Sequence, residues 1–89
     1  MTPDKYAQSK FEDNVAAIRH FVGGKNVMFL ALFGSIVDCH ISMHESTDDS
    51  EKLAFFYQAK CHLVQQLEIY CLANKDLLIN ANQKPHSNV

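Results

Sequence analysis

Cys39, His40, His44, Cys61 and His62 are the residues whose types and spacing carry the most chemistry in this 89-residue chain. His40 and His44 stand four positions apart, so on a helix both imidazoles project from one face, close enough to share an ion. Zinc asks for three or four such ligands in tetrahedral arrangement, and Cys61 or His62 would complete the set if the intervening chain folds back. The spacing is that of no finger, ribbon or metalloprotease, since neither CxxC nor HExxH occurs. Without a metal, His44 is a loop residue, Cys61 a small packing residue and His40 a polar group near a helix end. A metal-binding or metal-sensing protein is therefore an alternative reading, and no cofactor is expected. Cys39-His40 and Cys61-His62 are sequence neighbours whose side chains diverge by about 100° on a helix. Neither forms the thiolate and adjacent base that cysteine nucleophiles need.

The acids offer little for catalysis. Asp38, Glu45, Asp48, Asp49 and Glu51 lie in a polar stretch that reads as a solvated, cap-forming run, without the apolar pocket that tunes paired carboxylates. Glu45, Asp48, Asp49 and Glu51 form a candidate charged docking edge for a basic partner. Gly23-Gly24 lacks the spaced glycines and the Lys-Ser/Thr pair of a phosphate loop. No catalytic residue is assigned, and the chain is expected not to be an enzyme. Its formal charge of -2 divides into +1 over residues 1–37 and -3 over 38–89, so neither part attracts a phosphate backbone strongly. A DNA-binding dimeric transcriptional regulator is a second alternative. Against it, the segment that would enter a groove begins TDDSEKLAFF, with acids where phosphates approach.

The elements that position these residues read as helical. Thr2-Pro3-Asp4 has the form of a helix start, and Ala7, Phe11, Val15, Ile18 and Val22 gather on one side, with Phe21 at the margin. Gly23-Gly24 ends this helix and Asn26 caps the next. Val27 to Val37 is apolar at nine of eleven positions, with no charge. As a run it is about half the length of a membrane span. Residues 27–33 alone also suit a buried strand, but Met28, Leu30, Ala31 and Leu32 favour helix, and no hairpin turn follows. Ser42 to Ser50 reads as a loop, with Asp48 and Glu51 as the best capping box. From Asp49 to Ile79 neither Gly nor Pro occurs, and Leu53, Phe56, Tyr57, Leu63, Val64, Leu67, Tyr70, Cys71 and Leu78 form one broad stripe. Lys60 interrupts that stripe and must snorkel.

The expected fold is all-α: helices at about 3–22, 27–41 and 49–79, the second buried and the third long, in a bundle-like single domain of residues 1–80 with a flexible tail at 81–89. Burying every side of the second helix takes more cover than two other helices of a short chain provide, so dimerisation is expected to complete the bundle. Gly34 would then mark a close helix crossing. Phe55, His62 and Ile69, seven residues apart, add a second seam on the third helix. The candidate interface is Met28, Phe29, Leu32, Phe33, Gly34, Phe55, His62, Ile69 and Leu72. These features lead to a small, non-catalytic regulator or adaptor acting through protein–protein contacts. Its partners would be a second copy and, in addition, another protein, with nucleic acid disfavoured and no membrane involved. Three cysteines cannot all pair within one chain and no secretory leader pattern precedes them, which fits a reducing, cytoplasmic setting.

Overall fold

The computed structural model describes residues 1–22 and 24–75. Over them the chain is a three-helix bundle: α1 is Pro3–Ile18, α2 is Val27–Glu45 and α3 is Ser50–Ala73, and each helix packs on both others. The stretch 27–33 is helix, so the strand alternative falls away. The expected continuation of α3 from 76 to 79, the domain limit at 80 and the tail 81–89 lie outside the described residues.

Local chemistry sets the helix ends. Thr2 is the N-cap of α1, its hydroxyl accepting from the Lys5 amide at 3.3 Å. The helix stops at Ile18, four residues short of the sequence expectation. Arg19 to Phe21 form a tightened turn in which the amides of His20 and Phe21 donate to carbonyls three residues back. Gly24 then takes φ +78°, a left-handed conformation open to glycine at little cost, and a short 3-10 turn, Gly24–Asn26, leads into α2.

α2 runs on to Glu45, through part of the segment expected to be a loop. No glycine or proline stands between Gly34 and Glu45, and Ser42 and Met43 are half-buried in the bundle, so packing carries the helix past Ile41. Residues 46–49 suffice to reverse the chain. Asp49, one residue after the expected Asp48, is the N-cap of α3: its Oδ1 accepts from the amides of Glu51 and Lys52, both at 3.1 Å.

The core is thin and made mostly of small side chains. Ala7, Val27, Ala31, Leu32, Ser35, Cys39, Ala59 and Leu63 are the buried residues among those described. Ala31, Ser35 and Cys39 recur every four positions on α2, and together with Ala7 and Ala59 they let the three helices approach closely. Tyr6, Phe11, Ile36, Leu67 and Tyr70 close over this centre. Tyr6 meets Phe55 and Phe56 edge-on, each with ring centroids 5.5 Å apart.

One polar contact pins α1 to α2. The Asn14 amide donates to Ser35 Oγ at 2.8 Å and to Asp38 Oδ2 at 3.1 Å, while the fully buried Ser35 hydroxyl donates to the Ala31 carbonyl at 2.7 Å. Ser35 thereby has both a donor and an acceptor role filled, which makes its burial tolerable and fixes the register of the two helices.

Candidate functional site

α2 has two faces. Val27, Ala31, Leu32, Ser35 and Cys39 are turned to α1 and α3, whereas Leu30, Phe33, Val37 and Ile41 remain between 37 % and 54 % exposed. At 100° per residue those four, with Gly34 and His44 among them, span an outward stripe about 100° wide. A stripe of that width normally faces a core. The expectation that α2 is buried is met on one side only within a single chain, because α1 and α3 both pack against the small-residue side.

Gly34 sits in this stripe, and a Cβ built there meets nothing within 4 Å. The close crossing expected at Gly34 is therefore not made by α1 or α3. Among the described residues the glycine has no packing partner at its Cβ position, although it weakens the helix by about 1 kcal/mol relative to alanine. Phe29 and Phe33 stack on the α3 side of the stripe at 6.4 Å and 17° between planes, and Phe29 also leans on Tyr70 at 6.4 Å.

The other candidate interface residues divide. Leu32 is in the core, and Phe55 is spent on Tyr6. His62 is half-buried, with Nδ1 3.7 Å from the Asp4 carboxylate on α1. Met28, Ile69 and His62 border a groove of about 310 Å³ together with Phe11, Leu63 and Tyr70. Its size is at the lower end for small-molecule sites. Leu72 and Ile69 are well exposed on α3. Missing from the expected set were Leu30, Val37 and Ile41, which lie within the helix expected at 27–41 but are not distinguished from its inner face by sequence, because apolar residues point all round it.

The Cys and His residues do not converge as a set. His40 and His44 meet edge-on at 4.9 Å at the far end of α2, and Lys60 reaches across from α3 to within 3.4 Å of His40 Nδ1. This is the snorkelling expected of Lys60. His62 is turned to α1, and Cys61 is exposed. Among the described residues no group of three or more His, Cys, Asp or Glu side chains is placed to hold a metal ion. In the acidic segment Asp49 is committed to capping and Glu51 occupies the first turn of α3, leaving Glu45 and Asp48 as exposed charges.

The thiols differ sharply. Burial pushes the Cys39 thiol up from its ordinary value of 9.0, with Asp38 adding to the rise and Lys10 and Lys60 opposing it. A folded pKa above the unfolded one gives a stabilising contribution that is complete below about pH 9 and is lost as pH climbs through the folded pKa. Pulsed alkylation of the native protein at pH 7.5 is expected to modify exposed Cys61 promptly and Cys39 only when urea unfolds the chain. Equal labelling rates at the two sites, read by peptide mass spectrometry, would contradict this packing of α2.

Comparison with protein-family models, with curated proteins and with solved structures finds no match for the chain in any of the three.

Proposed function

We propose that the chain is a small, non-catalytic regulatory or adaptor protein that works through protein–protein contacts, as a homodimer assembled on the outer face of α2. The observation that carries this reading is the uncharged outward stripe of Leu30, Phe33, Gly34, Val37 and Ile41. With about 150–200 Å² of surface on each large apolar side chain, the five exposed ones on this side of α2, Phe29 included, leave roughly 400 Å² open, a patch as large as the largest on a typical monomer. The thin core supports it too. A short chain centred on alanine, serine and cysteine side chains gains from any further apolar burial.

α2 is long and apolar enough to cross a membrane, with a mean hydropathy of 1.5 over its best window. Asp38, His40, His44 and Glu45 crowd its second half, and Asn14 holds Ser35 and Asp38 at the α1 side. Those groups favour a bundle helix in water over a span. Three free thiols suit a cytoplasmic location.

Sedimentation velocity from low to high micromolar concentration tests the assembly. A species of about twice the 10.1 kDa chain mass is expected, as for a closed two-fold dimer. A lone 10.1 kDa species across that range would refute it.

A further inference from the structure

We infer that the outer stripe of α2 pairs with the same stripe of a second copy in antiparallel sense, the two-fold axis passing between Gly34 and Val37. The inference rests on the dimer reading above and adds its geometry. Leu30, Gly34, Val37, Ile41 and His44 follow one another at spacings of four, three, four and three along the outward side of α2. That is a heptad seam, the periodicity with which two helices pack side by side at a shallow angle. The seam carries no carboxylate, lysine or arginine, so no formal charge needs a counter-charge from the partner.

The axis position follows from complementarity. With the axis between Gly34 and Val37, Gly34 faces the partner's Val37 and Leu30 faces the partner's Ile41, so the notch receives a branched side chain and the bulky residues meet apolar ones. Gly34 then has a purpose, since a Cβ there has open space on its own chain and a backbone approaching from outside requires its absence. A parallel pair would set glycine against glycine, leaving a void, and would collect the edge-on His40 and His44 pairs of both copies at one end. The antiparallel pair separates those imidazoles and lays the helix dipoles head to tail. Leu30, Phe33, Val37 and Ile41, with Phe29 beside them, offer roughly 400 Å² of apolar surface per copy, hence about 800 Å² in all, which the exposed His40 and His44 on the same side extend toward the roughly 1,200 Å² of a standard specific interface.

The test uses the full chain with Cys61→Ser and Cys71→Ser, leaving buried Cys39 in place, and Leu30→Cys and Ile41→Cys made separately. Light scattering first gives the mass. Copper-phenanthroline oxidation is expected to link an equilibrated mixture of the two variants and neither variant alone. Self-linking of Leu30→Cys would overturn the antiparallel geometry while leaving the dimer standing. A dimer in which no combination links would remove the α2 seam as the contact, and a monomeric parent would remove the dimer reading itself. Separately, Gly34→Ala is expected to raise the dimer dissociation constant about tenfold to a hundredfold by overfilling the notch, with helix content unchanged or higher. A tighter dimer would exclude the close crossing.

Discussion

Val37→Asp is expected to leave the chain folded and to abolish the dimer. In the single chain Val37 is well exposed on the outward side of α2 and belongs to no core cluster, so the carboxylate stays in water. Aspartate and valine also have similar intrinsic helix propensities, which keeps the change in monomer stability within about 0.5 kcal/mol. In the assembled stripe the same carboxylate enters an apolar contact twice, once from each copy, and its short stem cannot carry the charge to the rim as a lysine would. An unpaired charge taken from water into such a contact costs about 3–5 kcal/mol, so even one of the two would raise the dissociation constant by roughly a hundredfold to several thousandfold. Sedimentation velocity with far-ultraviolet circular dichroism on the same sample separates the two effects. Unchanged mass with native helix content would show that the outer face of α2 is not the contact.

The second large effect falls on the core. Leu63→Ala removes the largest fully buried side chain among the described residues, at the point where α3 packs with Ala7 and Leu32. Its buried companions Ala7, Cys39 and Ala59 are too small to collapse into the space. The groove already borders Leu63 beside Phe11 and Tyr70, so truncation would open the void to it. The expected cost is about 2–5 kcal/mol, against a total of about 4–13 kcal/mol for a chain of this length. The melting temperature should drop by at least about 10 °C. Thermal melts of native and Leu63→Ala protein at one shared concentration check it, because the proposed assembly would make the midpoint concentration-dependent. A drop under about 3 °C would mean that the centre of the bundle lies elsewhere.

These two substitutions act on opposite sides of the bundle, and the sequence is informative about them to different degrees. The apolar periodicities of Ala7, Phe11 and Ile18 and of Leu63, Leu67 and Tyr70 determine amphipathic helices, and Thr2-Pro3 marks where α1 begins. Such signals are local: they need only 3.6-residue spacing and a hydroxyl beside orphan amides. The uncharged run of Val27 to Val37 likewise determines a helix with more apolar surface than a surface element carries.

Only the tertiary structure decided which side of that run is satisfied. Apolar residues point all round α2, so periodicity cannot distinguish an inner face from an outer one. The choice falls to the small side chains of Ala31, Ser35 and Cys39, which let α1 and α3 come close and turn Leu30, Phe33, Val37 and Ile41 outward. Leu32 and Phe55, reasonable interface residues by sequence, were drawn inward by contacts with Leu63 and Tyr6 that no local pattern encodes. The Asn14 bond to Ser35 and Asp38 joins residues more than twenty positions apart, and its donor stands in a stretch that reads as ordinary helix surface. His62 and the His40–His44 pair were separated for the same reason: Lys60 and His62, two positions apart on α3, point about 160° apart, so Lys60 meets α2 while His62 meets α1. The sequence by itself determined three helices and a surplus of apolar surface. The packing of small residues at the centre decided that the surplus lies along one continuous outer face of α2, with Gly34 open in its middle.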